Sequence, residues 1–321
     1  MWTPSRVLIC SGNSPDYGVD GLADGMLRWL GPDHVRVHLH YPSGYLTPSL
    51  RSLQPFYDWV EHATWTWSPS EADLVILSCR SPEWLPSFCR MNFTCPIALV
   101  DSNDTPTIEP NGLPSTLIFK RELYAYPLPD HPTVRPLPVT VFSSQPVGTQ
   151  PFLYRQIKAC FIGAICHSDP PHPHCESRLG ICRLLQQRPG SLTLLNANLD
   201  DEAYAQLLST SRVGLSCYGA YGASDSFRYW EIPYFGGLLM SLPPVHVIPE
   251  NFTHQQNALF FKTVEELAGC LEWVEAHPED AEAMAKAGQH HLLTHHLTLH
   301  RAQYVVRELA DYLGLHDAQS P

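Results

Sequence analysis

Two groups of short apolar runs, separated by a proline-rich stretch, constrain the fold of this chain more than any other feature. Five runs rich in Val, Ile and Leu are predicted strands in the first group: 6–12, 35–42, 72–80, 95–104 and 115–123. These runs show little polar alternation, which is typical of strands covered on both faces. In the second group, predicted strands and helices alternate along 158–242. The sequence therefore predicts an α/β fold with two parallel, doubly wound, Rossmann-like sheets in tandem.

The elements of the second group can be bounded by their turn and capping signals. The predicted strands are 158–164, 191–197, 212–219 and 238–242, and the predicted helices are 176–190, 200–211 and 225–235. Two further helices are predicted at 263–280 and 300–315, and an amphipathic helix at 19–31 lies between the first two strands. The Pro-, Ser- and Gln-rich stretch 127–152 has no helical period and is interpreted as the connection between the domains.

The length of 321 residues fits two domains of ordinary size. We place a first domain at 1–145 and a second at 150–300, followed by a C-terminal segment at 301–321. The formal net charge of −12 makes nucleic acid a poor partner, although a small anionic ligand needs only two or three well-placed cations. The sequence has neither a signal-peptide pattern nor an apolar run long enough for a membrane span, so we expect a cytoplasmic protein. The oligomeric state is left open.

Ten cysteines are expected to be mainly small buried residues in a reducing compartment. One cluster differs, because the loop 166–175 contains Cys166, His167, His172, His174 and Cys175. Cys and His are zinc ligands, but this spacing matches no familiar zinc pattern, and proline-rich loops often contain histidine. Zinc binding and an ordinary loop both remain open, and we assign no metal site.

A charged pair stands in front of two glycines in the stretch SDSFRYWEIPYFGGLLMS, 224–241. Ligands of open α/β sheets bind at the carboxyl ends of the strands, where N–H groups at helix starts can hold phosphate. Arg228, in the first turn of the predicted helix, could contact the same anion, and Glu231, one turn later, could accept hydrogen bonds from a ribose diol. The alternative is an exposed surface pair, although the neighbouring aromatic residues favour a partly buried face.

The segment from about 158 to 308 resembles the C-terminal half of group 1 glycosyltransferases, with the greatest likeness to the spore-maturation-protein (CgeB-like) type and a more distant one to exostosins. Those families share the pattern Ser/Thr–x–Arg–x–x–Glu, then a turn of small residues and an apolar strand. Ser226, Arg228 and Glu231 follow this order. His296 and Arg301 resemble the closing motif of the family, and IALVDSND and IFKREL resemble N-terminal segments.

The resemblance implies a GT-B fold, in which two Rossmann-like domains face each other across a cleft and the final helix crosses back to the first domain. It also implies transfer of a sugar from a nucleotide diphosphate sugar to an acceptor hydroxyl, on a glycan, a protein or a small molecule, without a metal or another cofactor. The donor-binding residues would be Gly163, Arg178, Tyr218, Ser226, Arg228 and Glu231.

The acceptor is expected on the N-terminal domain. Asp101 and Asp104, at the end of a predicted strand, are candidate bases for the acceptor hydroxyl, and Asp16 is a third. Asp residues are also common in turns and caps, so a structural role is the alternative for each. Three further residues are assigned to the acceptor side or the cleft: Asn13, Lys120 and Arg121.

The chain departs from the family pattern at two positions. Many group 1 enzymes carry two glutamates eight residues apart, whereas Ala223 precedes Glu231 here, so the choice between retention and inversion is left open. Leu297 replaces the usual Thr after the histidine. Alternatives are therefore a nucleotide-sugar epimerase or a phosphorylase-like enzyme of the same fold, and a degenerate, non-catalytic protein that binds a nucleotide or glycan. Transfer to a modified DNA base is disfavoured by the acidic charge.

Overall fold

The computed structural model describes residues 2–11, 16–38, 64, 66–79, 93–103, 105, 107–108, 112–141, 150–164, 174–195, 199–218 and 226–315, without the side chains of His174, Cys175 and Asp201. The chain divides into two compact units. Unit 1 comprises Met1–Ser144 and Leu297–Pro321, and unit 2 comprises Gln145–His296. The C-terminal return to unit 1 thus starts at Leu297, where the sequence analysis placed it at 301.

The secondary structure of the described residues alternates between strands and helices. The strands are β1 (Val7–Cys10), β2 (Val35–His38), β3 (Leu74–Ser78), β4 (Ile97–Asp101), β5 (Leu117–Lys120), β6 (Val134–Pro136), β7 (Ile157–Gly163), β8 (Leu192–Leu195), β9 (Ser211–Ser216), β10 (Leu238–Ser241) and β11 (Leu259–Phe260). The helices are α1 (Tyr17–Leu30), α2 (His174–Gln186), α3 (Asp201–Ser209), α4 (Phe227–Tyr234), α5 (Val264–Ala276), α6 (Pro278–His295) and α7 (Thr298–Leu313).

Unit 1 contains a parallel sheet with the strand order β2-β1-β3-β4-β5-β6. Alternate residues of its strands face two different cores. Val7 and Ile9 pack in the core formed with α1 and α7, whereas Leu8 and Cys10 pack in a second core on the other face. This double coverage explains the nearly continuous apolar runs in the sequence.

Helices α1 and α7 pack closely because a glycine and a buried hydrogen bond lie between them. A Cβ at Gly25 would lie 2.1 Å from the carbonyl oxygen of Thr298, so only a residue without a side chain fits there. The Thr298 hydroxyl donates to Asp24 Oδ2 at 2.5 Å. Segment 297–315 therefore completes the core of unit 1.

Unit 2 contains a second parallel sheet, with the order β11-β10-β9-β7-β8. Its core includes Phe161 of β7, Leu215 of β9 and Met240 of β10, packed against residues of α2, α5 and α6. Since α4 connects two parallel neighbours, β9 and β10, it runs antiparallel to them. Its N-terminus lies at the carboxyl edge of the sheet.

The structure confirms the predicted α/β class and the two Rossmann-like sheets, and it differs from the predictions in three elements. Val134–Pro136, in the stretch interpreted as the domain connection, pairs with β5 as strand β6. The two-residue strand β11 pairs with β10 but was not predicted. Helix α6 was also missed, because its buried face consists largely of small residues, including Ala281, Ala285 and Gly288.

Candidate functional site

Helix α4 begins beside the end of β9, where a pair of serine hydroxyls connects the two elements. Ser226 is the N-cap residue of α4, one residue after the predicted start of this helix at 225. Its Oγ lies 3.0 Å from Oγ of Ser216, the last residue of β9. The Ser226 side chain makes no capping hydrogen bond to the helix, so it does not occupy the N–H groups at the helix start.

The side chain of Arg228 lies at the end of β7, against Gly163. A Cβ at Gly163 would be 3.2 Å from Nη2 of Arg228, and Cζ of Arg228 lies 5.9 Å from the centroid of the Phe161 ring. The Nε atom is buried and, within the described part of the chain, has no hydrogen-bond partner. An uncompensated buried donor is costly, and a bound anion would relieve that cost.

Two thiols and a phenol near Arg228 carry no negative charge that would offset its own. Burial raises the pKa of the Cys160 thiol to about 11 and also raises the pKa of Cys217, while the charge of Arg228 lowers both to a smaller extent. Burial likewise raises the pKa of the Tyr204 hydroxyl well above its usual value. All three groups are therefore neutral near pH 7 and bring no negative charge to Arg228.

Glu231 lies one turn further along α4 and is held by a residue of the preceding helix. The Tyr204 hydroxyl of α3 donates to Glu231 Oε2 at 2.5 Å. Both residues are half-buried. The carboxylate is therefore a fixed acceptor, since a short hydrogen bond to a charged oxygen is among the stronger side-chain contacts. Tyr204 was not predicted from the sequence, because a residue 27 positions upstream of Glu231 forms no spacing pattern with it.

Arg178 and Tyr218 connect the loops at the carboxyl edge of the sheet. The buried guanidinium of Arg178 donates from Nη2 to the Tyr218 carbonyl at 2.6 Å and from Nη1 to the Ala164 carbonyl. The Tyr218 hydroxyl in turn donates to the carbonyl of Pro243 at 2.8 Å. Loops after β7, β9 and β10 are thereby held together. These contacts support the position of Gly163 and Ser226, while direct contact of Arg178 or Tyr218 with the donor remains a prediction.

The opposite face of α4 is anchored by aromatic residues. Trp230 is fully buried, with its ring 4.7 Å from the ring of His296. His296, the histidine of the predicted closing motif, lies with Nε2 2.6 Å from the Glu250 carbonyl oxygen. At Gly214 of β9, a Cβ would lie 2.4 Å from Ile232 Cγ1, so this glycine lets α4 approach the sheet. These contacts hold α4 in place and so fix the positions of Arg228 and Glu231.

In unit 1, Asp16 is a fully buried helix cap. Its Oδ1 accepts from the backbone N–H of Gly18 at 3.1 Å and from the Ser102 hydroxyl at 2.5 Å, and its Oδ2 accepts from the Ser78 hydroxyl at 2.5 Å. These bonds connect α1 to the ends of β3 and β4. They favour a structural role for Asp16 over the role of a base.

Asp101 and Lys120 form an ion pair at the ends of the neighbouring strands β4 and β5. Their charged atoms are 3.2 Å apart, and both side chains are fully buried. Lys120 also donates to the Asn103 carbonyl at 3.1 Å. Their contacts again favour a structural role, and Arg121, which follows them, is half-buried. Asn13 and Asp104 lie outside the described residues, so their predicted roles remain predictions.

The described residues contain neither a cluster of metal ligands nor a membrane-spanning helix. Among them, no group of three or more His, Cys, Asp or Glu side chains is placed to hold a metal ion. The side chains of the possible zinc loop, 166–175, lie outside this set. No helix in the same residues is long and apolar enough to cross a bilayer.

Comparison with known proteins gives a family match over part of the chain and a shared fold over nearly all of it. Residues 186–307 match a family described as glycosyl transferase-like. This segment contains Ser226, Arg228 and Glu231. No curated protein sequence matches the chain.

Solved structures extend the similarity to nearly the whole chain. Anabaena Alr3699/HepE, in complex with UDP and glucose, aligns with a TM-score of 0.62 and 11% identity over 96% of this chain and 100% of that one. An alpha-glucosyltransferase in complex with UDP-glucose and DNA containing an abasic site gives a TM-score of 0.57 and 8% identity over 96% and 98%. A putative UDP-N-acetylglucosamine 2-epimerase from Listeria monocytogenes gives 0.51 and 11% over 98% of both chains.

At these identities the structural likeness establishes the fold, which is that of GT-B glycosyltransferases. The prediction of a GT-B-type fold with two Rossmann-like sheets is confirmed, while the cleft between the domains stays a prediction. The resemblance to the spore-maturation and exostosin types is a finer assignment and remains a hypothesis.

Proposed function

We propose that this protein is a glycosyltransferase that moves a sugar from a nucleotide diphosphate sugar to an acceptor hydroxyl. The observation that carries the proposal is the side chain of Arg228, which lies against Gly163 at the start of α4 with a buried Nε that no described residue satisfies. The glycosyl transferase-like match over residues 186–307 supports the same reading.

The diphosphate of the donor would bind at the start of α4. Backbone N–H groups and the helix dipole favour an anion at such a position, and the Arg228 fork can contact two phosphate oxygens. Gly163 matters here because the absence of a side chain lets both the guanidinium and a phosphate approach the backbone of the β7 loop. Ser226 can donate a further hydrogen bond from its hydroxyl.

Glu231 would bind the ribose of the nucleotide. A carboxylate accepts two hydrogen bonds from neighbouring hydroxyls, and Glu231 lies three residues after Arg228 on the same helix. The distance of one helical turn suits a nucleoside whose diphosphate sits at the helix start. This proposal assigns the nucleoside diphosphate, but not the base or the sugar, to unit 2.

The reaction requires charge stabilisation more than covalent chemistry. The acceptor oxygen forms a bond to the anomeric carbon, the bond from that carbon to the diphosphate oxygen breaks, and the acceptor proton passes to a base. Negative charge develops on the departing diphosphate, where Arg228 and the N-terminus of α4 would stabilise it. Because these groups supply positive charge, the proposal includes no metal ion.

The proposal also covers the general base and the residues on the acceptor side. Asp16 and Asp101 are engaged in buried contacts, so we keep Asp104, which lies outside the described residues, as the candidate base. Asn13 and Arg121 are retained as acceptor-side candidates. Lys120 would act there indirectly, by fixing the end of β5 through its ion pair.

An epimerase is the second candidate, because the structure also aligns with a putative UDP-N-acetylglucosamine 2-epimerase. An epimerase acts on the nucleotide sugar without an acceptor, whereas a transferase releases nucleoside diphosphate in proportion to glycosylated acceptor. A degenerate binding protein would bind the nucleotide without turnover.

A nucleotide screen by thermal shift tests the proposal. We expect UDP, GDP or ADP to raise the melting temperature of the wild-type chain, and Glu231→Ala to weaken that binding by about tenfold, as for the loss of a hydrogen bond to a charged group. Arg183→Ala, which changes an exposed arginine of α2, is the matched control and should bind as the wild type does. Unchanged binding by Glu231→Ala would remove the ribose role. Nucleotide sugars that bind are then incubated with and without acceptors, and product analysis separates transfer from epimerisation.

A further inference from the structure

The hydrogen bond between Tyr204 and Glu231 joins two helices that start at the same edge of the sheet. Helix α3 precedes β9 and α4 follows it, so both helices run antiparallel to that strand. Tyr204 is in the first turn of α3, and Glu231 is in the second turn of α4. The Tyr204 side chain thus reaches Glu231 from the neighbouring helix α3, with its hydroxyl 2.5 Å from Oε2.

The geometry points to Tyr204 as a positioning residue that sets the selectivity of the site for a ribose over a 2′-deoxyribose. The inference rests on the proposed role of Glu231. A glutamate side chain has three rotatable bonds, and an unrestrained carboxylate loses entropy when it binds a diol. A carboxylate that is already held through Oε2 presents its other lone pairs in one orientation.

Tyr204 remains a donor throughout the pH range in which the protein would work. Burial, and then the charge of Glu231, raise the pKa of the Tyr204 hydroxyl well above its usual value of about 10. A phenol that keeps its proton can donate to a carboxylate but cannot repel it. The pair is therefore a constant feature of the site and not a pH switch.

If Tyr204 positions Glu231, its loss should reduce the contribution of the 2′-hydroxyl to binding and leave the contribution of the rest of the nucleotide unchanged. Glu231 gains from pre-organisation only when the ligand offers a diol. Loss of the Tyr204 hydroxyl should weaken UDP binding several-fold while changing 2′-deoxy-UDP binding by less than about twofold. A merely structural role in joining α3 to α4 would weaken both ligands equally.

The test measures the dissociation constants of UDP and 2′-deoxy-UDP for full-length wild type, Tyr204→Phe and Tyr229→Phe by calorimetry. Tyr229→Phe is the matched control, because the Tyr229 hydroxyl on α4 donates to Asn251 Oδ1 at 2.7 Å, away from Glu231. We expect the ratio of deoxy to ribo dissociation constants to be about tenfold in the wild type and in Tyr229→Phe. In Tyr204→Phe it should fall to about two- to threefold. An unchanged ratio in Tyr204→Phe would overturn the inference.

A second pair of variants separates action through Glu231 from direct contact with the ligand. In the background of Glu231→Ala, the additional change Tyr204→Phe should have no effect on either ligand. A further loss of UDP affinity in the double variant would show direct contact and would contradict a positioning role. If the wild type binds neither UDP, GDP nor ADP, the proposed function itself fails and this inference fails with it. If the wild type binds UDP but the ratio is insensitive to Tyr204, the inference alone fails.

Discussion

The guanidinium of Arg228 packs on the backbone of Gly163, with Nη2 at 3.2 Å from the position that a Cβ on Gly163 would occupy. Gly163 at the end of β7 and Arg228 at the start of α4 therefore act together in the site. The contact requires both the small residue and the close approach of α4 to the sheet at Gly214.

Gly163→Ala should disturb this contact without unfolding the protein. The added methyl group would displace the end of a flexible side chain and leave the backbone in place, so we expect a change in melting temperature of no more than about 2 °C. UDP affinity should fall several-fold, as measured by calorimetry. Gly269→Ala is the control, because a Cβ there meets nothing within 4 Å on the exposed side of α5. It should raise the free energy of unfolding by about 0.5–1 kcal/mol and leave UDP binding unchanged.

Arg228→Ala should separate binding from folding. The side chain buries an Nε that no described residue satisfies, so its removal should leave the free energy of unfolding of the ligand-free protein nearly unchanged. Turnover should fall by about 100- to 1000-fold, by analogy with the loss of one oxyanion donor, which costs about 2.7–4 kcal/mol. The check is urea denaturation together with steady-state kinetics. A variant that unfolds readily but, when folded, turns over at the wild-type rate would contradict the assignment.

Asp104→Asn should affect catalysis, whereas Asp101→Asn should affect the stability of the fold. Asp104→Asn is expected to abolish transfer while donor binding, measured by thermal shift, stays intact. Asp101→Asn leaves the Lys120 charge buried and uncompensated, so it should reduce the free energy of unfolding by about 3–5 kcal/mol. Adding Lys120→Met to Asp101→Asn removes the second charge and should recover part of that loss. Full transfer activity in Asp104→Asn would eliminate it as the base.

Stability should fall at alkaline pH, and Tyr204 should contribute to the slope. Because its pKa is raised in the folded state, the unfolded chain loses the proton first as pH rises above about 10, and the folded state is then disfavoured. The Cys160 thiol, with a pKa of about 11 in the folded state, also reduces stability as pH rises, and its effect begins at a lower pH than that of Tyr204. The contribution of Tyr204 is fully present below pH 10 and is lost as pH approaches the folded pKa.

Urea denaturation at several pH values between 9 and 11 measures this slope. Tyr204→Phe should lose stability less steeply above pH 10 than the wild type does. Tyr154→Phe is the control, because Tyr154 is 79% exposed and its hydroxyl is in water before and after unfolding. Parallel slopes for wild type and Tyr204→Phe would show that the hydroxyl is not buried against Glu231.

The sheets were predictable because burial on both faces gives strands an uninterrupted apolar signal. Leu74–Ser78 and Ile97–Asp101 are buried and appear in the sequence as runs rich in Leu, Val and Ile. The missed elements have no such signal. Helix α6 buries mostly Ala and Gly, and β11 has two residues whose strand character comes from pairing with β10. Pairing and close packing of small residues are tertiary properties, which no local pattern encodes.

The site was predictable as far as its residues share one helix. Ser226, Arg228 and Glu231 have a fixed spacing, so their common position at the start of α4 follows from helix geometry. The contacts that explain their roles come from elsewhere in the chain: Gly163 from β7 and Tyr204 from α3. For Asp101 the sequence and the structure point to different roles. Its position at a strand end suggested a catalytic base, whereas its buried ion pair with Lys120 on the neighbouring strand favours a structural role.

Helix α7 adds a condition on how the protein can be made. The apolar side of α1, including Leu22 and Met26, packs with Val305 and Leu309, which are translated only after the whole of unit 2. At ordinary elongation speeds of about 5–20 residues per second, the intervening stretch of about 150 residues takes roughly 8 to 30 s to synthesise. Until α7 is made, the apolar side of α1 lacks part of its cover, whereas the last strand of the unit 2 sheet, β11, is complete at Phe260, before α7 is synthesised. Folding on the ribosome should therefore finish in the middle of the chain before it finishes at the start.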